Sequence, residues 1–132
     1  MLKTDVFDYI NIMDKAADAA WLRNDAISNN IANDDTPGYK RQDVAFEREL
    51  QRALGYSHFE TMDAKVSDVN QRELSRITPS VYTEQADHSY RLDGNNVDID
   101  TENVYLAENQ ITYNALLDSI NTEFKNLKMV MK

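Results

Sequence analysis

Asn29-Asn30-Ile31-Ala32-Asn33-Asp34-Asp35-Thr36-Pro37-Gly38-Tyr39-Lys40-Arg41 is the stretch on which the fold turns. Before it, from Val6 to Asn33, there is neither Gly nor Pro. Over that run Ile10, Met13, Ala17, Ala20, Asn24, Ile27 and Ile31 recur at alternating spacings of three and four, a heptad-like stripe that predicts a long helix. Thr4 or Asp5 is expected to cap its start, with acidic side chains near the positive end of the helix dipole. At Thr36-Pro37-Gly38-Tyr39 the chain must turn. Pro at the second turn position fixes φ and Gly at the third accepts positive φ, the demand of a type II turn.

Working outward, a second stripe lies at the far end of the chain. Leu106, Asn109, Tyr113, Leu116, Ile120, Phe124, Leu127 and Met131 are spaced by three or four, with one stutter between Ile120 and Phe124. Asp98 or Asp100 can cap this helix, and Lys125, Lys128 and Lys132 sit near its negative end, so charge order agrees with helix direction. Helices over 5–33 and 101–131 would be about 44 and 46 Å long at 1.5 Å per residue. Matched lengths and a long excursion between them predict a mainly α fold in which the N- and C-terminal helices form an antiparallel coiled-coil-like pair. Asn24 and Asn109 fall on the stripes, where an Asn can fix register.

The expected organisation is a first helix within 1–35, a turn and short amphipathic helix within 36–55, a partly flexible or irregular middle over 56–97, and the last helix within 98–132. Val44, Phe46, Leu50 and Leu54 carry the short helix, which ends near Gly55. From Tyr56 to Arg91 the apolar residues show no sustained period. Asp93-Gly94-Asn95-Asn96 reads as a turn, and Val97-Asp98-Ile99-Asp100 as a short extended approach to the last helix.

Composition narrows the function. The 132 residues hold 14 Lys and Arg against 23 Asp and Glu, for a net charge of -9. That balance argues against a broad nucleic-acid surface, which needs clustered cations. Lys40, Arg41, Arg48 and Arg52, beside Tyr39 and Phe46, form the one basic and aromatic patch worth weighing, and interspersed Asp43, Glu47 and Glu49 favour protein contact instead. The absence of Cys removes disulfides and thiolate metal sites. Met1 to Ile12 lacks the apolar run of a cleaved signal peptide, and no stretch suggests a membrane span.

No catalytic or metal site is expected and no cofactor is called for. His58 and His88 belong to no zinc motif, no Ser sits in a nucleophile elbow, and Asp93, Asn95 and Asp98 do not match a calcium loop. Long apolar stripes without a competing catalytic arrangement point to an interaction protein. A soluble helical adaptor or chaperone in a smaller complex is the alternative, although it gives no reason for the Thr36–Tyr39 region.

The quoted stretch resembles the N-terminal signature of bacterial flagellar rod and hook proteins, and its continuation through Gln42–Glu47 is similar to the proximal-rod branch. Asn95-Asn96-Val97-Asp98-Ile99-Asp100-Thr101-Glu102, followed by Leu106, Ala107, Asn109, Gln110, Tyr113, Asn114, Ala115 and Leu116, is the second match. The resemblance implies terminal helices that form an axial coiled-coil domain in a helically assembled basal-body rod, which transmits torque and encloses the export channel. It implies as partners other copies, other rod proteins, the rod-to-export-apparatus junction protein and the flagellar type III export apparatus, with export to the periplasmic rod without cleavage. Asn30, Ile31, Ala32, Asn33, Thr36, Pro37, Gly38 and Tyr39 would carry the first signature. Asn96, Val97, Asp98 and Asp100 would lead into the last helix, and the two stripes would serve packing and assembly.

Overall fold

The computed structural model describes residues 6–55, 60–85 and 91–131, so the expected cap at Thr4 or Asp5, and His58 and His88, lie outside the described residues. Two long helices dominate: α1 spans Val6–Ala32 and the C-terminal helix spans Ile99–Val130. Between them come β1 (Gln42–Ala45), α2 (Glu47–Gly55), α3 (Met62–Arg72) and β2 (Ser80–Thr83), so the last helix is α4. The fold is mainly helical, with the two long helices packed against each other.

Their pairing is antiparallel. Asn30 near the end of α1 reaches Glu102 in the first turn of α4, while Asn109, two turns further along α4, reaches back to Ala20. On α1 the stripe buries Ile10, Ala17, Ala20 and Ile27, with Met13, Asn24 and Ile31 partly covered. The second face of α1 is also used. Ala19 and Ala26 join Val44, Phe46, Ala53, Val69 and Ile77 in a core, so α1 is a central helix clad on two sides. Its many alanines make this possible, because small side chains let α4 and the middle segment approach one backbone closely.

The middle is more ordered than its sequence pattern suggests. α3 has no signature in the sequence pattern, since only Val66, Ser67 and Val69 on it are buried and so few covered positions set no readable period. It is built from local signals: Thr61 caps its first turn by accepting from the Ala64 N–H at 3.3 Å. Lys15 of α1 holds the segment that follows α3 by donating to the carbonyls of Leu74 and Ile77. Asn70 then fastens α3 to α1 through the Asp8 carbonyl at 3.0 Å.

Two expectations need correction. Val44 lies on β1 rather than on the amphipathic helix, which begins only at Glu47. The reason is that the backbone on either side of Arg41 is held extended by side chains from elsewhere, and β1 pairs antiparallel with β2 in the register Val44↔Val81. Ile99 and Asp100 are likewise helical rather than extended, because Asp98 caps α4 directly by accepting from the Asp100 N–H.

The turn between α1 and β1 has the type II geometry: Tyr39 N–H donates to Thr36 O at 3.2 Å, and Gly38 has φ +72°. A Cβ at Gly38 would meet nothing within 4 Å. Any penalty there is therefore backbone strain rather than crowding. Gly38→Val is expected to lower unfolding free energy by about 1–3 kcal/mol, with Gly38→Asn costing clearly less because Asn tolerates the left-handed region. Paired urea melts check this, and equal losses for Val and Asn would contradict it.

Candidate functional site

Two segments far apart in sequence form one structural unit. Asn95 is fully buried, and its side-chain amide donates to the carbonyls of Asn33, Asp34 and Thr36, each at 2.9 Å. Those carbonyls belong to the turn that follows α1, where Asn33 O and Thr36 O also accept from the Thr36 and Tyr39 N–H groups at 3.0 and 3.2 Å. The Asn95 carboxamide oxygen accepts from Val97 N–H at 2.8 Å, so one side chain gathers the turn after α1 while shaping the approach to α4. Gly38 N–H donates to Asp93 O at 2.8 Å, and Lys40 Nζ donates to Gly94 O at 2.8 Å. Gly94, at φ +76°, brings its backbone close to Gly38.

Beneath this lies a polar node in the interior. Asn30 uses its entire hydrogen-bonding capacity. Its Nδ2 donates to Gln42 O at 2.8 Å and to Glu102 Oε2 at 3.0 Å, while its Oδ1 accepts from Gln42 N–H at 2.8 Å and Tyr39 Oη at 3.2 Å. Glu102 is 1 % exposed, so its charge needs a partner inside the protein. Arg41 supplies it through Nε at 2.8 Å, and also reaches Glu84 Oε2 at 3.0 Å and stacks over the Tyr105 ring at 5.5 Å. Burial alone pulls the Arg41 guanidinium down, but the hydrogen bonds to Glu102 and Glu84 outweigh it and hold its pKa above the ordinary value. Arg41 is therefore a permanent cation. The backbone N–H of Arg41 donates to Asn96 Oδ1 at 2.7 Å, tying the second segment into the same node.

Of the residues anticipated from sequence, Asn30, Tyr39 and Asn96 meet in this node, Asn33 and Thr36 lie beneath Asn95, and Val97 is fully buried beside them. Ile31 is partly buried, and Ala32 and Pro37 are exposed. Asp98 accepts from Thr101 Oγ1 at 2.8 Å and from Asp100 N–H at 3.1 Å; Asp100 itself is exposed. Asn109 is buried and donates to Ala20 O at 2.7 Å. Leu106, Tyr113, Leu116, Ile120 and Leu127 are partly covered, and Phe124 is half exposed because the covered seam runs through Glu123.

Sequence reasoning did not single out Arg41, Asn95 or Glu102 as site residues. One signal was available: Glu102 stands four residues before Leu106, on the helix stripe, where an acid demands a buried cation. The basic patch weighed earlier dissolves in the structure. Arg41 enters the node, Lys40 binds a carbonyl, Arg52 pairs with Glu49 at 3.0 Å and Arg48 lies over the Tyr82 ring. The oxygens of Asp93, Asn95 and Asp98 are engaged in turns and caps. Among the described residues, no group of three or more His, Cys, Asp or Glu could hold a metal ion, and no helix is long and apolar enough to cross a membrane.

The architecture so defined is a two-helix scaffold locked at one end by a polar node. A family model described as flagella basal body rod protein matches residues 14–40, the stretch that supplies the α1 half of the node. The chain is 38 % identical to the flagellar basal body rod protein FlgB of Bacillus subtilis strain 168, over 92 % of each chain. It is 33 % identical to FlgB of Borreliella burgdorferi, covering 87 % of this chain and 89 % of the relative, and 29 % identical to FlgB of Escherichia coli K12, over 83 % of each. The chain belongs to the FlgB family of flagellar basal body rod proteins.

Two outcomes follow for the node and the cap. Arg41→Met strands the Glu102 carboxylate in the interior and should cost about 3–5 kcal/mol in urea unfolding; a loss below about 1 kcal/mol, as for an exposed ion pair, would contradict the geometry. The hydrogen bond from Thr101, helped by the backbone N–H groups of Asp100 and Thr101, holds the Asp98 carboxyl below its ordinary range. A depressed folded-state pKa stabilises above the unfolded value, and the benefit disappears as pH falls through the lowered value. Asp98→Asn should therefore weaken the fold at neutral pH and flatten the acid limb of a stability-against-pH curve. An unchanged acid limb would count against the cap.

Proposed function

We propose that the chain is a structural subunit of the proximal flagellar rod, in which copies assemble helically to transmit torque and to enclose the export channel. The observation that carries this reading is the coverage of α4. Glu102 and Asn109 are its only buried residues, while its apolar seam beyond them is merely half covered by α1. Ile111, Phe124, Met129, Val130 and Met131 remain 50–86 % exposed, beside Trp21 of α1 at 65 %. Apolar surface on this scale marks a protein built to be covered by others.

In this role no bond is made or broken. The node sets the angle and register of the two helices, and the helices present faces to neighbouring subunits. The partners inferred are other copies of the chain, other rod proteins, the junction protein at the export apparatus, and the type III apparatus that delivers the subunit uncleaved to the periplasmic rod.

A subunit of this kind gains order on assembly, since association stabilises the state that buries the seams. Helical circular dichroism of the isolated chain should rise with concentration, in step with association seen by sedimentation. Electron cryomicroscopy of purified basal bodies should place both chain ends near the rod axis. A fully helical, non-associating monomer, together with absence from basal bodies, would contradict the rod role and favour the adaptor.

A further inference from the structure

A cleft of about 410 Å³ opens between α1, α4 and the segment joining β1 to α2. Its floor is Ala16, Ala19 and Ala20 of α1, and its walls carry Phe46 and Leu50 on one side and Leu116 on the other. The alanines make the depth, since larger residues there would fill it. Glu47 and Glu108, both exposed, stand at its rim. The one rim cation, Arg23, is engaged with Asp43 at 2.9 Å and Glu47 at 3.4 Å.

The last two turns of α4 have the opposite character. Phe124 is 50 % and Met131 80 % exposed. With Lys128 they stand at i, i+4 and i+7 on one face, the spacing by which a helix engages a groove, and Lys125 flanks them. A basic face with two large apolar anchors is thus matched by an apolar cleft with an acidic rim. The wall from Tyr105 to Leu116 runs about 16 Å, and the tail from Phe124 to Met131 about 10 Å, so the anchors fit within its length. One chain cannot make this contact with itself, because α4 supplies both the wall and the tail.

We propose that the Phe124–Lys128–Met131 face of one copy docks in the α1–α4 cleft of a second copy, with Lys125 and Lys128 approaching Glu108, the rim acid not engaged by Arg23. This deepens the rod-subunit reading and rests on it by naming the surfaces through which copies meet. Donor and acceptor surfaces differ, so the contact is heterologous and repeats head to tail instead of closing as a two-fold dimer. If the bundles stay parallel, the 17 residues between the centres of wall and tail set an axial offset of about 25 Å.

The chain has no Cys, which makes cross-linking direct. Thr112→Cys places a thiol on the cleft wall and Met131→Cys one on the tail; the variants are prepared separately, one carrying a size tag, then mixed and oxidised. The heterodimer should exceed either homodimer several-fold. Phe124→Asp added to the tail variant should abolish it. Glu108→Lys should weaken it, and Lys125→Glu with Lys128→Glu on the tail should restore it, with circular dichroism confirming that each variant keeps its helices. A heterodimer no more frequent than the homodimers, or one indifferent to Phe124→Asp, overturns the proposal. The same cysteine variants in the native bacterium separate the two levels. Incorporation into basal bodies without the cross-link removes this contact and leaves the rod role standing, whereas absence of the unsubstituted chain from basal bodies removes the rod role itself.

Discussion

A carboxylate in the interior must be answered from somewhere, and the arrangement of this protein follows from how Glu102 is answered. One oxygen takes the guanidinium Nε of Arg41 and the other the amide of Asn30, so the first turn of α4 is bound at once to the turn after α1 and to α1 itself. Apolar seams alone tolerate sliding by a heptad. A buried charge with directional partners does not, since a slipped register would leave it unpaired at a cost of several kcal/mol. Register, and the antiparallel sense of the long helices, are thereby specified at one end and propagated along α1 by Asn109 on the Ala20 carbonyl.

This gives a physical reason for the two sequence signatures that lie about 60 residues apart. Asn95 holds the turn after α1 from a distance, Asn96 holds the Arg41 backbone, and the Gly38 and Gly94 turns lie against each other. Neither segment has its geometry without the other. The node spends its polarity internally and gathers the structure at the α1 C-terminus, leaving the remaining length of α4 with a half-covered seam. A stiff hub with an incompletely covered helix suits a subunit whose stability is completed by neighbours.

How much could be read in advance varied with the range of the forces involved. The two helices, the Pro37-Gly38 turn and the Asp98 cap rest on local chemistry, and each is legible from a handful of adjacent residues. α3 is not legible because two valines and a serine make too short a buried stripe, and its position depends on Lys15 and Asn70, contacts across the chain. β1 looked helical because Val44, Phe46 and Leu50 satisfy a helical spacing, whereas the Asn30 and Asn96 side chains hold the preceding backbone extended. Arg41 and Glu102 were in view as charges in an acidic chain, and only their pairing across 61 residues gives them meaning.

The central claim is that Asn30 and Glu102 act as one unit in joining α1 to α4. A double-mutant cycle with Asn30→Ala, Glu102→Ala and the combined variant, read by urea unfolding, tests it most directly. The account predicts an interaction energy of about 1–3 kcal/mol between the two sites. Losses that simply add, within about 0.5 kcal/mol, would contradict it.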